Sequence, residues 1–118
     1  MTQPDAAAYC ASMGRYLVIP KNQTQTDEIR GLLPSGNVRA WLGIQNINGA
    51  WTPDDPNYGD IAWTNWRPGG EGNQGESNAG IVWEDDWDGT WYDMNPNGRL
   101  HYAVCVNAEP GKHLNHPF

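Results

Sequence analysis

The beginning of the chain combines a helix-like pattern with a short apolar run. Thr2, Pro4 and Asp5 are typical of a helix start, because threonine caps the first turn, proline fits it and aspartate favours the positive end of the helix dipole. The alanine-rich residues that follow predict a short helix that ends at Gly14. Residues 16–19 (YLVI) then predict a buried strand.

A second helix is predicted after the polar residues that follow this strand. Thr24 or Thr26 caps it in this interpretation, and the two acidic residues after Thr26 occupy its first turn. Ile29, Leu32 and Leu33 are spaced so that they share one face of the helix. A Pro-Ser-Gly-Asn sequence then ends the helix with a turn.

The rest of the chain predicts short strands joined by tight turns. Residues 38–44 (VRAWLGI) have the strongest strand pattern, and Gly43 within them allows another backbone to approach closely. Asn46-Ile47-Asn48-Gly49 predicts a hairpin turn, because Asn-Gly accepts the positive φ angles of a type I′ turn. Residues 50–52 are the predicted return strand. Further strands are predicted at 80–83, 90–94 and 101–106, with a turn at 86–89 between the first two.

Between Arg67 and Ala79 the chain has no hydrophobic periodicity. A segment of this length without regular structure is usually functional or ordered by a metal. Crowded carboxylates repel one another, and a hard cation bound by carboxylate and amide oxygens removes that repulsion. The sequence therefore predicts calcium here. The oxygen-bearing side chains of the wider segment 63–93 are Glu71, Asn73, Gln74, Glu76, Asn78, Asp85, Asp86, Asp88 and Asp93.

Composition limits the function classes. The 118 residues predict one domain, and the net charge of −7 argues against nucleic acid and anionic membranes, although general solubility explains the acidity equally well. No apolar run reaches membrane-spanning length, so we expect no membrane insertion. With 7 tryptophans in the chain, large aromatic side chains must supply much of the buried area. Those expected in or near the core are Trp41, Trp51, Trp66 and Trp91.

The two cysteines lie near opposite ends of the chain. Cys10 and Cys105 suggest one disulfide that ties the two ends together, and two separate buried thiols are the alternative. A disulfide implies an oxidising compartment, so we expect a secreted or extracellular protein.

The sequence resembles the C-type lectin-like domain over about residues 3–107. The resemblance implies an α+β fold in which two helices flank short antiparallel sheets and a long loop binds calcium. It also implies a domain at residues 1–107 followed by a C-terminal tail at 108–118. The landmarks, in family order, are Cys10, Leu17-Val18-Ile19, Trp41-Leu42-Gly43-Ile44, Asn65-Trp66, Glu71-Gly72-Asn73, Glu76, Trp91-Tyr92-Asp93 and Cys105.

The resemblance also implies a set of calcium ligands. Glu71 and Asn73 match the family's EPN triplet, Glu76 matches the following loop carboxylate, and Asp93 matches the aspartate of the family's WND motif. In the family these side chains hold calcium and hydrogen-bond vicinal sugar hydroxyls. The order of Glu71 before Asn73 resembles the mannose-, fucose- and glucose-type arrangement.

Three other residues complete the predicted ligand-binding set. Asn78 is a candidate additional ligand, and Tyr92 stands at the asparagine position of the WND motif. Trp87 lies in the predicted turn between acidic residues, where its ring would stack on the apolar face of a sugar. A partly buried turn anchor is an equally weighted interpretation of Trp87.

The sequence departs from the family pattern in several places. Gly72 replaces a proline that is usually cis, and Tyr92 replaces an amide ligand with a phenol. The family's inner disulfide has no cysteines here, and its first strand has no counterpart before Thr2. Asn46 and Asn48 stand where the auxiliary calcium site usually has acidic ligands.

These observations predict a calcium-dependent carbohydrate-binding module. Because a single site binds monosaccharides weakly, we expect a homo-oligomer or a larger adhesive protein. The alternative is a degenerate lectin-like domain for protein–protein or surface recognition without sugar. An enzyme using Asp85 and Asp86, a metal site at His113 and His116, and ice or mineral binding are weaker interpretations.

Overall fold

The computed structural model describes residues 1–68, 76–84, 87–95, 97 and 101–109. The order of helices and strands is α+β, as expected from the sequence. The elements are α1 (Gln3–Ala11), β1 (Arg15–Leu17), α2 (Gln23–Leu32), β2 (Val38–Ile47), β3 (Ala50–Pro53), β4 (Asn78–Glu84), β5 (Trp87–Met94) and β6 (Cys105–Asn107).

Two antiparallel sheets organise the domain. The larger sheet has four strands in the order β3-β2-β4-β5, and β1 pairs with β6 in a separate two-stranded sheet. The chain between residues 101 and 104 joins the two sheets, because Tyr102 bridges to Ala40 of β2 and the Val18 amide donates to the Val104 carbonyl at 2.9 Å. The strand predicted at 101–106 is therefore shorter than expected, since only its last part pairs with β1.

Helix α1 begins where the sequence predicts. Thr2 is its N-cap and accepts a hydrogen bond from the Asp5 amide, and Pro4 lies in the first turn. The helix ends at Ala11, two residues before Met13, where the pattern predicts its last residue, and Gly14 follows with a φ of 68°. This left-handed conformation reverses the chain toward β1 at little steric cost because glycine lacks a Cβ.

Helix α2 corrects two expectations. Its cap is Asn22, not Thr24 or Thr26, because the Asn22 side chain accepts from the Gln25 amide at 2.8 Å. Thr26 is instead a buried residue inside the helix. Leu32 does not share the buried face of Ile29, because its side chain is 73% exposed.

Glycines decide two local features of the large sheet. Asn48 and Gly49, with φ angles of 53° and 88°, form the two-residue turn between β2 and β3, so the type I′ turn is confirmed. Gly43 also has the predicted role, because a Cβ at this position would overlap the Leu17 carbonyl oxygen. The β1 backbone therefore packs directly on β2.

Two clusters of buried residues form the core. The larger one lies on one face of the four-stranded sheet and includes Trp91, with Trp51 and Trp66 partly buried against it. The smaller one contains Trp41 and Cys10 beneath α1. The expectation that these four tryptophans lie in or near the core is confirmed, and Trp41 and Trp91 are fully buried.

A disulfide joins the two ends of the chain. Cys10 in α1 and Cys105 in β6 are bonded, with their Cα atoms 5.3 Å apart and a sequence separation of 95 residues. The predicted disulfide is confirmed. It fixes α1 onto the two-stranded sheet.

Beyond β6 the structure describes Ala108 and Glu109. The Glu109 amide donates to Asp55 Oδ2 at 2.7 Å, and its carboxylate forms an ion pair with Lys21 at 2.7 Å. The division between a domain at 1–107 and a tail at 108–118 stays a prediction. Within the described ranges, no helix has the length and apolar character needed to cross a bilayer.

Candidate functional site

The predicted calcium ligands fall into two groups. Glu71 and Asn73 lie outside the described residues, as do Asp85, Asp86 and the two tail histidines. Glu76 and Asp93 are described, together with the other predicted ligand-binding residues Asn78, Trp87 and Tyr92.

The structure brings Glu76 and Asp93 together. The Glu76 amide donates to Asp93 Oδ2 at 3.2 Å, and both residues are partly exposed. Asp93 lies on β5 opposite Ala79 of β4, so a rigid pair of strands positions it. Its carboxylate thus connects the end of the long polar segment to the sheet. This hydrogen bond joins two residues that are 17 positions apart in the sequence, beside the edge strand β5.

Asn78 lies next to this pair at the start of β4. Its side chain is buried, with 4% of its surface exposed, and its Oδ1 accepts from the Ser77 hydroxyl at 2.9 Å. The Nδ2 group is buried and has no hydrogen-bond partner among the described residues. An amide nitrogen donates hydrogen bonds and does not ligate a cation, so only Oδ1 of Asn78 could do so, and its role as an additional ligand stays a prediction.

Tyr92 contacts a different part of the protein. Successive side chains of a strand point to opposite faces, so Tyr92 turns away from the face of Asp93. Its phenol lies over Gly80, and its hydroxyl is hydrogen-bonded to His101 Nε2. Burial raises the pKa of Tyr92 to about 12. Its role as a sugar ligand stays a prediction, and its described polar partner is His101.

His101 is buried below Tyr92. Its ring stacks on Trp41 with centroids 4.4 Å apart, and 4% of its surface is exposed. Burial, followed by the positive charges of Arg39 and the N-terminus, lowers the pKa of His101 to about 4. The imidazole is therefore neutral at physiological pH.

The lowered pKa of His101 predicts a pH-dependent stability. Since the unfolded chain takes up this proton near the ordinary pKa of 6.5 and the folded protein only near 4, the free energy of unfolding is expected to fall as pH drops from 6.5 to 4. The expected loss is about 2–3 kcal/mol, complete below pH 4. Denaturant unfolding at pH 7, 5.5 and 4 measures it. His101→Gln should flatten this part of the curve, and an unchanged curve contradicts the assignment.

Trp87 corrects the prediction of a turn tip. It is the first residue of β5 and pairs with Glu84 of β4, so it lies within a strand. One face of its indole is covered by the Arg67 guanidinium, whose Cζ lies 4.8 Å from the ring centroid. The alternative interpretation, a partly buried anchor, describes Trp87 better. The sequence predicted a turn at 86–89 because its glycine is typical of a turn. In the structure Gly89, with a φ of 78°, forms a bulge inside the strand.

Sequence reasoning did not single out Arg67. Its guanidinium packs on Trp87 and, at 5.1 Å, on Tyr92. A signal was present in the sequence, because Arg67 is the one lysine or arginine between Arg39 and Arg99, in the most acidic part of the chain.

The comparisons with known proteins agree with this geometry. The family model described as "Lectin C-type domain" matches residues 1–107. E-selectin of Sus scrofa is 33% identical over 113 residues, which cover 92% of this chain and 23% of E-selectin. The chain therefore spans about a quarter of the length of that relative.

Solved structures share the fold at lower sequence identity. The mouse scavenger receptor C-type lectin carbohydrate-recognition domain has a TM-score of 0.71 and 20% identity, covering 92% of this chain and 84% of that one. A calcium-independent type II antifreeze protein has a TM-score of 0.70 and 21% identity, covering 89% of this chain and 77% of that one.

The family match covers the helices, both sheets and the disulfide described above. The relatives are non-enzymatic proteins, and this domain is not an enzyme. The chain belongs to the C-type lectin domain family.

Proposed function

We propose that this domain binds carbohydrate through a calcium ion held by Glu71, Asn73, Glu76 and Asp93. The observation that carries the proposal is the contact between the Glu76 backbone and the Asp93 carboxylate. This contact supports the proposal because Glu76 and Asp93 are close to each other beside the edge strand β5 and both stay partly exposed. Membership in a lectin family supports the same conclusion.

The chemistry of the donor set fits calcium. Carboxylate and amide oxygens are the ligands that calcium prefers, and it takes six to eight of them. Among the residues with described positions, no group of three or more acidic, histidine or cysteine side chains is assembled. Glu76 and Asp93 therefore need the oxygens of Glu71 and Asn73 to complete the site.

Bound calcium would supply positive charge and open coordination positions for two vicinal sugar hydroxyls. The chain's own residues would orient those hydroxyls. The carboxylates of Glu71 and Glu76 accept hydrogen bonds from hydroxyl groups, and the Asn73 amide donates one. The order of Glu71 before Asn73 favours mannose-, fucose- and glucose-type sugars.

The disulfide indicates the compartment in which the domain binds its ligand. The bond between Cys10 and Cys105 persists in an oxidising compartment, so we infer a secreted or extracellular location. Because one such site binds a monosaccharide weakly, useful avidity requires several copies or a larger host protein.

A second candidate function is surface recognition without calcium. The side chain of Tyr92, at the position of a usual amide ligand, is turned toward His101 instead of Asp93. This leaves the site with one amide oxygen fewer than the family pattern. The calcium-independent antifreeze protein has the same fold, so the fold itself does not require the metal.

A calcium titration followed by thermal unfolding tests the proposal. At a hundred times the dissociation constant, calcium should stabilise the fold by about 2.7 kcal/mol, which raises Tm by roughly 10 °C. Asp93→Asn, which keeps an acceptor for the Glu76 amide, should remove this shift. Asp60→Ala is the matched control, because Asp60 is exposed and lies outside the ligand set.

Isothermal titration with mannose, fucose and galactose completes the experiment. Heat is expected with mannose or fucose in calcium and not in EDTA. If the wild type shows neither a calcium-dependent Tm nor heat with any of these sugars, the calcium-dependent function is contradicted and the second candidate is favoured.

A further inference from the structure

A cavity opens between α1, β1 and the hairpin formed by β2 and β3. Its volume is about 610 Å³, which lies in the range of about 300–1,000 Å³ in which proteins bind small molecules. We call it the α1 cavity. None of its described lining residues belongs to the predicted calcium or sugar ligands, so it is a separate site.

Small and apolar side chains make up much of the surface of the α1 cavity. Ala7 and Ala11 line it from the helix, and their short side chains leave the space open. Ile47 lines it from β2, and 51% of this side chain is exposed. An apolar ligand in the cavity therefore removes apolar surface from water, which favours binding.

Asp54 is the carboxylate of the α1 cavity. The residue is half-buried, and its Oδ1 accepts a hydrogen bond from Gln45 Nε2 at 3.0 Å. Within the part of the chain that the structure describes, no lysine or arginine forms an ion pair with it. Burial raises the pKa of Asp54, because the charged form loses hydration. A cation in the cavity offsets that cost.

Arg15 supplies the opposite charge. It is the first residue of β1, pairs with Asn107 of β6 and has an exposed side chain. No carboxylate of the described residues forms an ion pair with its guanidinium. The α1 cavity is thus lined by one carboxylate and one guanidinium, and each is without a described partner of opposite charge.

Backbone hydrogen bonds fix the segments that border the cavity. The Gly43 amide donates to the Val18 carbonyl at 3.1 Å, which holds the end of β1 against β2. The Gly43 carbonyl accepts from the Asp54 amide at 2.8 Å. Because one residue of β2 holds both segments, the cavity is formed before a ligand arrives and less conformational entropy is lost on binding.

We propose that the α1 cavity binds a short apolar peptide with free ends, whose ammonium group contacts Asp54 and whose carboxylate contacts Arg15. An ammonium group donates hydrogen bonds to a carboxylate, and a guanidinium donates two parallel ones to a carboxylate. A ligand with a single charge satisfies only one of the two groups, so a zwitterion is the better complement. This inference does not depend on the calcium-dependent function.

Amide NMR in EDTA, with leucine, Leu-Leu and Leu-Leu-Leu as probes, tests the proposal. The three probes have the same side chain and differ in the separation of their end charges. We expect saturable shifts of the Gly14, Arg15 and Asp54 amides with at least one of the two peptides. Leucine alone should bind more weakly, because it covers less apolar surface. Tighter binding of leucine than of both peptides would contradict a peptide ligand.

Capped peptides assign each end charge to its partner. N-acetylation of the peptide that binds best removes the ammonium group, and C-terminal amidation removes the carboxylate. Each change should weaken binding about tenfold, the effect of one charged hydrogen bond. Asp54→Asn keeps an acceptor for Gln45 and should abolish the difference between the free and the acetylated peptide. Arg15→Gln should abolish the difference between the free and the amidated peptide.

Two further variants control for nonspecific effects. Asp60→Asn removes one negative charge at an exposed position outside the cavity and should leave peptide binding unchanged. Ala11→Phe places a ring beside the cavity from an exposed position at the end of α1, so it should block binding. Denaturant unfolding shows that each variant is folded.

The outcomes separate this site from the calcium site. The absence of a saturable shift with all three probes overturns the proposal, as do capped peptides that bind as tightly as the free one. Because the experiment contains EDTA and no sugar, either result leaves the calcium-dependent function untouched. Peptide binding in EDTA likewise supports the α1 cavity even if calcium gives no change in Tm.

Discussion

Replacing both Cys10 and Cys105 with alanine is expected to lower the free energy of unfolding by about 4–5 kcal/mol. The bond closes a loop with a sequence separation of 95 residues, so its removal frees almost the whole unfolded chain. Without the bond, α1 is no longer held on β6. The packing of α1 on Trp41 within the smaller buried cluster is then weakened as well. For a domain of this size the loss is comparable to the whole stability.

Denaturant unfolding at pH 7 with tryptophan fluorescence measures this loss, and the two single variants are its controls. Cys10→Ala and Cys105→Ala each break the same bond, so each should cost nearly as much as the double replacement. Reduction of the wild type should give a similar value. If each single variant instead costs less, and the two costs sum to that of the double variant, then local packing and not the bond stabilises the ends of the chain.

Trp91→Ala is expected to lower the free energy of unfolding by about 3–5 kcal/mol and to weaken ligand binding at the same time. The side chain is fully buried, and its ring meets Trp63 and Trp66 edge-on at 6.0 and 5.5 Å. Its backbone exchanges hydrogen bonds with Asn65 and Arg67 at 2.8 Å. Removing the ring therefore disturbs both the core and the segment that leads into the predicted calcium loop.

The matched control is Trp87→Ala, four residues earlier on the same strand. Trp87 is partly exposed and packs on Arg67, so its loss should cost clearly less stability than that of Trp91. Equal costs at the two positions, measured by denaturant unfolding, would contradict the assignment of Trp91 as the anchor of this segment.

Local patterns in the sequence were enough for most of the fold. The cap at Thr2, the type I′ turn at Asn48-Gly49 and the close approach at Gly43 follow from short-range sterics and hydrogen bonding, and the structure confirms them. The cap of α2 was misplaced because Asn22, Thr24 and Thr26 are all good caps. Burial of Thr26 in the core, which a local pattern does not reveal, decides between them.

The candidate site was predictable in part. Glu76 and Asp93 were identified from their residue types and family order, and the structure joins the Glu76 amide to the Asp93 carboxylate, while their role as calcium ligands stays a prediction. The surroundings of Tyr92 were not predictable, because they depend on His101, Arg39 and Arg67, which come from three other segments.

By itself, the sequence determined the family, the two helices, the paired strands, the disulfide partners and the clustering of acidic residues in one polar segment. These depend on neighbouring residues or on spacing that a single chain displays directly. The tertiary structure alone decided which face of β5 each side chain occupies, and hence that Asp93 meets Glu76 while Tyr92 supports Arg67. The physical reason is strand pairing, because the register that sets Tyr92 opposite Gly80 and Asp93 opposite Ala79 fixes the face of each side chain, and the bulge at Gly89 changes it for the residues before the bulge.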